Sequence, residues 1–105
     1  MGLKSYRPLT PTLRYKQISD KKEITAVEPY KPLTTGIKRS SGRSNVGEIT
    51  SRRRGGGHKK LYRIIDFKRN FKGISCVVET IEYDPNRTAR IALVKYENGK
   101  RCYII

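Results

Sequence analysis

The residues with the clearest chemistry form one continuous basic stretch near the middle of the chain. From residue 51 to residue 60 it runs Ser-Arg-Arg-Arg-Gly-Gly-Gly-His-Lys-Lys, with no acidic residue. Guanidinium and ammonium groups bind phosphate oxygens, and glycine, which lacks a Cβ, allows another backbone to approach closely. Five fixed positive charges this close repel one another unless a polyanion neutralises them. The stretch therefore predicts an RNA-backbone clamp; a solvated basic loop and a localisation-type basic patch are the alternatives.

Little else in the sequence supports catalysis or metal binding. One histidine, His58, and two cysteines, Cys76 and Cys102, without a CxxC motif do not make up a zinc ligand set. The sequence lacks the spacing of a nucleotide-binding loop, a carboxylate pair and a nucleophile–base set. We therefore expect a protein that is not an enzyme and uses no cofactor, metal or small-molecule substrate. We expect the cysteines to stay reduced, since basic RNA-binding chains occupy reducing compartments.

The charge of the chain points to a nucleic-acid partner. Its 105 residues include 24 Lys or Arg and 9 Asp or Glu, for a formal net charge of +15. Residues 38–60 alone hold eight Lys or Arg and one Glu, a net of +7. Such an excess favours nucleic acid first and an anionic membrane surface second. We expect no membrane partner, since the sequence has no apolar run of about 18–20 residues and no basic amphipathic helix.

Residues 1–41 have the composition of an extended, basic and largely irregular arm. Four prolines between residues 8 and 32 divide it, and its apolar residues follow no sustained period of 2.0 or 3.6. A short helical turn at residues 19–23 is the one local element that its sequence favours. We expect this arm to be disordered alone and to order along RNA, with an inert flexible tail as the alternative.

Residues 42–105 have the pattern of a small all-β domain. Asp84–Arg87 has a turn signature, and Asn98-Gly99 predicts a type I′ hairpin. The glycine-rich stretch is predicted to form the tip of a hairpin between the first two strands. Short β-branched and aromatic runs predict five strands, at residues 46–52, 61–67, 74–83, 89–96 and 101–105.

Five short strands without intervening helices must protect their edges. A closed or partly closed barrel does so, and a five-stranded Greek-key barrel of the OB type is the first expectation, with an SH3-like barrel second. The aromatic rings on the strands, which either stack bases or fill the core, are Tyr62, Phe67, Tyr83, Tyr96 and Tyr103.

Two long motifs closely resemble one known family. They are Arg-Arg-Arg-Gly-Gly-Gly-His-Lys-Lys-Leu-Tyr-Arg-Ile-Ile-Asp-Phe-Lys-Arg at residues 52–69 and Thr-Ile-Glu-Tyr-Asp-Pro-Asn-Arg-Thr-Ala-Arg-Ile-Ala-Leu at residues 80–93. The family is the second protein of the large ribosomal subunit, in its bacterial and organellar form. The resemblance is dense from Gly42 to Ile105 and looser in the arm. Arg53 stands where the family often has histidine, and Cys102 where it often has a basic residue.

The resemblance implies an OB-like RNA-binding domain preceded by a basic arm that threads into ribosomal RNA. It covers only the first half of the family, so we expect the family's C-terminal SH3-like barrel to be absent. It implies a structural constituent of the large subunit that binds large-subunit ribosomal RNA and neighbouring ribosomal proteins and supports assembly and translation. The implied location is a ribosome in bacterial cytoplasm, the mitochondrial matrix or the plastid stroma.

The candidate RNA-binding residues carry positive charge or belong to the glycine-rich stretch. His58 is expected to stack on a base or bond a phosphate or 2′-OH, or instead to close the loop by a hydrogen bond. For any single cation, the alternative is a solvated surface charge. The full set is Arg39, Arg43, Arg52, Arg53, Arg54, Gly55, Gly56, Gly57, His58, Lys59, Lys60, Arg63, Lys68, Arg69, Arg87 and Arg90.

The sequence is also compatible with two other functions. A free-standing OB-type binder of single strands would use its sheet, and the glycine-rich stretch would be dispensable. A peripheral membrane module ranks third, because no amphipathic basic helix is present.

Overall fold

Seven short strands and one 3₁₀ turn make up the regular structure of residues 2–105, which a computed structural model describes. The predicted all-β class is confirmed, and helix is almost absent from these residues. The strands pair into three antiparallel sheets, β1–β2, β3–β4 and β5–β6–β7. The bounds are β1 Leu3–Ser5, β2 Gln17–Ser19, a 3₁₀ turn Lys31–Leu33, β3 Thr34–Gly36, β4 Leu61–Arg63, β5 Cys76–Glu82, β6 Ile91–Tyr96 and β7 Arg101–Ile104.

The three-stranded sheet carries most of the core. Its middle strand, β6, buries Ile91, Leu93, Val94 and Tyr96, as the nearly continuous apolar run of this segment predicts. The start of β5 is exposed, and the pairing of β5 with β6 shifts register between Val78 and Thr80. The predicted strands at residues 74–83, 89–96 and 101–105 are therefore confirmed, each in a shorter form.

The hairpin predicted at Asn98-Gly99 is confirmed, but its predicted turn type is wrong. The Tyr96 amide donates to the Lys100 carbonyl at 2.9 Å, so the loop has three residues, Glu97 to Gly99. Gly99 has a φ of 81°, whereas Asn98 is not in the left-handed region that a type I′ turn requires. The glycine instead takes the last position of a three-residue loop, where positive φ is needed once.

The strand predicted at residues 46–52 is wrong. This segment makes one isolated bridge, Arg43 to Ile49, and both Val46 and Ile49 are exposed. Its apolar residues therefore cover no core, and Gly47 turns the backbone at a φ of 93°. The predicted hairpin with a glycine-rich tip fails with it, because β4 pairs instead with β3, from the segment predicted as arm.

Residues 2–37, called here the N-terminal segment, are mostly irregular and lie against the three-stranded sheet at several points. The Thr25 amide donates to the Ile81 carbonyl at 3.0 Å, and Ala26 forms a parallel bridge to Glu82. Where a short helical turn is predicted at residues 19–23, the chain makes a single hydrogen-bonded turn, in which the Ile24 amide donates to the Lys21 carbonyl at 3.1 Å. These contacts give the segment defined backbone partners.

The buried apolar core is small for a chain of this length. It centres on Ile65, Ile91, Leu93 and Tyr103, with Tyr30 and Leu33 packed against it. The radius of gyration is 18.5 Å, whereas a compact domain of about 100 residues has a value of about 13 Å. The three sheets are open and the molecule measures 48 × 47 × 20 Å. Much of the surface is therefore available to a partner.

One buried tyrosine ties the N-terminal segment to the sheet. The fully buried Tyr103 hydroxyl accepts a hydrogen bond from the Tyr30 amide and donates one to the Glu82 carboxylate, both at 2.7 Å. Glu82 also accepts a bond from the Thr80 hydroxyl at 2.9 Å. Burial, with the hydrogen bond to Glu82, raises the pKa of Tyr103 to about 12. One hydroxyl thus satisfies a buried carboxylate and a backbone amide at once.

The substitution Tyr103→Phe is expected to destabilise the chain by about 1–3 kcal/mol, because it leaves two buried polar groups without this partner. It should also remove a loss of stability at alkaline pH. In the wild type, the unfolded chain releases the tyrosine proton near pH 10 and the folded chain only near pH 12, so stability falls as pH rises between them. Denaturant titrations across this range measure both effects. Tyr15→Phe, at an exposed ring, is the matched control; equal stability of the two variants contradicts the role of Tyr103.

Candidate nucleic-acid interface

Residues 38–60, called here the basic loop, fold back on themselves around one glycine. The Gly42 carbonyl accepts hydrogen bonds from the Thr50 amide at 3.1 Å, the Ser51 amide at 3.0 Å and the Thr50 hydroxyl at 3.3 Å. Gly42 has a φ of 73°, and a Cβ there would clash with the Ser51 carbonyl oxygen. Only glycine fits this position without strain.

The segment that Gly42 closes is shaped by backbone hydrogen bonds and not by apolar packing. The Ser44 amide donates to the Glu48 carbonyl at 2.8 Å, and the Gly47 amide donates to the Ser44 carbonyl at 3.1 Å. The exposed Arg43 also donates to the Gly47 carbonyl at 3.5 Å. Small residues therefore give this part of the chain a defined path while its cationic side chains stay in solvent.

A cleft of about 400 Å³ lies where residues 38–42 meet residues 54–57. A Cβ on Gly57 would approach Arg39 Nη1 to 2.6 Å, and one on Gly55 would lie 3.1 Å from the Ser41 Cβ. The glycines therefore let the two segments come close enough to form the cleft. Its lining residues, three of them cationic, are Lys38, Arg39, Ser40, Ser41, Gly42, Arg54, Gly55 and Gly57.

The positive charges of the basic loop have no internal counter-charge. Seven of its eight Lys and Arg side chains are exposed, and Lys60 is half-buried. None of the eight forms an ion pair with a carboxylate of residues 2–105, whereas cations elsewhere in the chain do. Arg87 and Arg101, for example, pair with Asp84 and Glu79. The loop therefore presents unneutralised positive charge to solvent, as a binding site for a polyanion requires.

The remaining predicted residues of the loop lie outside the cleft lining. Arg52, Arg53 and Gly56 are exposed, and Arg53 holds a φ of 63°, which is unusual for a residue with a side chain. His58 is exposed, with Nδ1 3.0 Å from the Lys59 carbonyl oxygen. This contact is to the adjacent residue and joins no separate parts of the loop, and the ring remains open to solvent.

Three predicted arginines outside the loop are engaged within the protein. Arg63 is 7% exposed and donates to the Leu61 carbonyl at 2.8 Å. Arg90 donates to the Ser19 hydroxyl at 2.8 Å. Arg87 pairs with the fully buried Asp84. Burial lowers the pKa of Arg87, but the hydrogen bonds and charge interactions with Asp84 and Tyr62 together outweigh this effect, and the net pKa is raised.

The other two predicted cations, Lys68 and Arg69, are exposed in the turn after β4. The Arg69 backbone amide donates to the Asp66 carboxylate at 3.0 Å. Its guanidinium donates to the Ile105 carbonyl at 3.2 Å. The structure thus brings Arg39, Arg54, Gly55 and Gly57 together at one cleft and places these two cations in a separate turn.

Over residues 2–105, no three His, Cys, Asp or Glu side chains are grouped so as to hold a metal ion. No helix within the same residues has the length and apolarity to cross a membrane. Both cysteines carry free thiols, and burial raises the pKa of Cys102.

Comparison with known families decides the family of the chain. Residues 30–105 match the family described as "Ribosomal Proteins L2, RNA binding N-terminal domain". The chain belongs to this family. The matched residues include the basic loop, its cleft and all three strands of the larger sheet, so the L2 resemblance expected from the two sequence motifs is confirmed.

Individual relatives of this L2-family chain are bacterial. It is 60% identical to a protein of Rickettsia canadensis (strain McKiel), 57% to one of Rickettsia bellii (strain OSU 85-389) and 58% to one of Ruegeria sp. (strain TM1040). Each is named "Large ribosomal subunit protein uL2", and each alignment covers all 105 residues. The chain spans 38% of the length of each relative.

Sequence reasoning missed one edge of the cleft in this L2-family chain. Lys38, Ser40, Ser41 and Gly42 line the cleft, but none was among the predicted site residues. A Ser-Ser-Gly sequence between basic residues signals a turn. It does not indicate that this turn packs against Gly55 and Gly57, which lie more than a dozen residues further along the chain.

The substitution Gly42→Ala is expected to open the basic loop, because a side chain at this left-handed position costs about 1–2 kcal/mol even before the clash with Ser51. The amides of Thr50 and Ser51 should then exchange with solvent about tenfold faster or more, as measured by NMR hydrogen exchange. Gly36→Ala is the control, because its Cβ would meet nothing within 4 Å. Unchanged exchange at Thr50 and Ser51 would contradict the anchoring role of Gly42.

Proposed function

We propose that this chain is a structural constituent of the large ribosomal subunit and binds large-subunit ribosomal RNA through the basic loop. The observation that carries the proposal is the set of eight loop cations without a carboxylate partner among residues 2–105, beside a cleft that three of them line. The names of the relatives and the description of the family agree with this role.

In this proposal, phosphate contacts supply most of the affinity. A phosphate group enters the cleft beside Arg39 and Arg54, while Arg52, Arg53 and Lys59 meet neighbouring phosphates along the RNA backbone. Gly55 and Gly57 let Ser41 and Arg39 come close, and they thereby shape the cleft that this phosphate enters. Specificity follows from the folded shape of the RNA, because the deep major groove of an RNA helix hides most base edges.

The open architecture supports the same role. A chain with a small core and a radius of gyration of 18.5 Å buries little of its own surface, so a large bound partner can supply the missing contacts. We propose that residues 42–105 act as an OB-like RNA-binding domain, in which the strands approach a five-stranded barrel, and that residues 1–41 act as an arm laid along RNA. The contacts of Thr25, Tyr30 and Leu33 would set the direction in which this arm leaves the sheet.

The proposed role is non-enzymatic, and it supports subunit assembly and translation. The proposed partners are large-subunit ribosomal RNA and neighbouring ribosomal proteins, with no membrane and no small-molecule substrate. Because the relatives are bacterial, the proposed location is the ribosome in a bacterial cytoplasm or in an organelle of bacterial type.

A free-standing single-strand binder that stacks bases on its sheet is less well supported. Two of the five strand rings considered for stacking, Tyr96 and Tyr103, are buried in the core at 6% and 0% exposure. Those rings have no free face for a base. This alternative also assigns no ligand to the concentrated positive charge of the basic loop.

The triple substitution of Arg52, Arg53 and Arg54 to alanine is expected to weaken the salt dependence of RNA binding. For the wild type and a structured fragment of large-subunit ribosomal RNA, a plot of log K against log salt should have a slope of about −5 or steeper, as for about six or more neutralised phosphates. The variant should flatten this slope by about 2–3 units, because three phosphate contacts are lost. Fluorescence anisotropy titrations over a series of salt concentrations measure the slope.

The control removes the same charge from exposed positions outside the loop, Lys72, Lys95 and Lys100. Its slope should stay close to that of the wild type. An equal slope change in the two triple variants would mean that net charge alone drives binding, and no change in either would remove the proposed clamp.

A further inference from the structure

A second cleft lies between the N-terminal segment and the end of β5, and it shares no residue with the cleft of the basic loop. Its volume is about 270 Å³, slightly below the range of about 300–1,000 Å³ that is typical of sites for drug-sized ligands. A ligand with a planar apolar part and an anionic part suits its composition. The lining residues are Lys21, Ile24, Ala26, Val27, Arg63 and Tyr83.

The cleft contains a buried cation without an anionic partner. Arg63 is 7% exposed and forms no ion pair with any residue from 2 to 105. Its Nη1 donates to the Leu61 carbonyl, but its buried Nε has no hydrogen-bond partner. Buried charges in proteins are normally paired, because desolvation of an isolated charge is unfavourable. An anion bound in the cleft would provide the missing pairing.

An aromatic ring and a second cation stand beside this arginine. Tyr83 is 44% exposed, and the exposed Lys21 ammonium lies 4.9 Å from the centre of its ring. The Arg90 guanidinium lies 5.7 Å from the same ring, and its Nε is also buried without a partner. Lys21 holds a φ of 57°, a conformation that is strained for lysine and that clusters at ligand sites.

We propose that this cleft binds one unstacked nucleotide of the RNA, with the base against Tyr83 and the phosphate paired with Arg63 and Lys21. Aromatic side chains stack on any base, and guanidinium pairs well with phosphate. The Lys21 side chain, being exposed, moves from the ring to the phosphate when the base enters. The inference rests on the proposed RNA-binding function and adds a site that recognises a single nucleotide, outside the basic loop.

The test uses the whole chain and a single-stranded RNA hexamer, with affinity measured by calorimetry at one fixed salt concentration. Tyr83→Leu keeps an apolar side chain but removes the ring, so hexamer affinity should fall about tenfold or more. Phe71→Leu, at a half-buried ring that packs against Tyr96 and does not line the cleft, is the matched control and should change affinity less than twofold. Equal effects of the two substitutions would overturn the proposal.

Arg63→Met gives an independent readout, because it replaces the buried cation by an apolar chain of similar length. We expect a higher Tm for the free chain together with a loss of hexamer affinity of about tenfold or more, since an unpaired buried charge destabilises the free state and binds the phosphate in the complex. A lower Tm with unchanged affinity would mean that Arg63 has a structural role alone, and would overturn the proposal.

Competition separates a nucleotide site from a simple anion site. Uridine monophosphate should displace the hexamer from the wild type at a concentration at least tenfold lower than inorganic phosphate requires. Equal competition by the two would overturn the nucleotide assignment. Structured ribosomal RNA is titrated in parallel against the wild type and against the triple alanine variant of Arg52, Arg53 and Arg54. If the wild type shows the steep salt slope and the variant the flatter one while the hexamer results fail, only this inference falls. If neither RNA binds, the proposed function falls as well.

Discussion

Repulsion among the cations of the basic loop is the constraint on which the rest of the structure depends. Eight positive side chains and one glutamate lie within 23 residues, and none of the eight cations forms an ion pair with a carboxylate of residues 2–105. Gly42 nevertheless holds the loop closed through three hydrogen bonds to its carbonyl oxygen. Backbone hydrogen bonds, which do not depend on apolar packing, thus fix the path of the loop and leave its side chains free for phosphate. In the proposed function, RNA balances this charge.

Polar and charged residues near the small core differ from those of the basic loop in both burial and pairing. Residues that hold the chain together are paired: the buried Tyr103 bonds the buried Glu82, and the half-buried Arg87 pairs with the buried Asp84. Seven of the eight cations of the basic loop are exposed, and none forms an ion pair with a carboxylate of residues 2–105. Arg63 is buried like the core residues but, like the loop cations, forms no ion pair with residues 2–105. This unpaired buried charge is the reason for proposing a second binding site around it.

Part of the fold and part of the candidate site could be predicted from the sequence. The basic loop and the strands of the larger sheet were recognisable because charge runs, β-branched runs and the Asn98-Gly99 turn are local signals. The strand at residues 46–52 was predicted wrongly, because the weak alternation of Val46 and Ile49 does not reveal that no core lies beneath them. The pairing of β3 with β4 was missed because it joins segments about thirty residues apart.

Charge alone also could not separate binding from structural arginines. Arg90 carries the same charge as Arg52, but Ser19, which lies far away in the sequence, engages its guanidinium. Arg87 pairs with Asp84 only three residues earlier, through the fold of the turn between them. Likewise, the part of Gly42 in the cleft depends on a contact between two loop segments that no local pattern encodes. The position and the cationic residues of the basic loop were thus predictable, but the contact between its two segments was not.

The most direct measurement of the central claim is the rate at which individual lysines are acetylated with and without large-subunit ribosomal RNA. Mass spectrometry of the modified chain compares Lys38, Lys59 and Lys60 in the basic loop with Lys72, Lys95 and Lys100 outside it. If RNA neutralises the loop, the first three should be protected severalfold more than the second three. Equal protection of both sets, or none at all, would contradict the account.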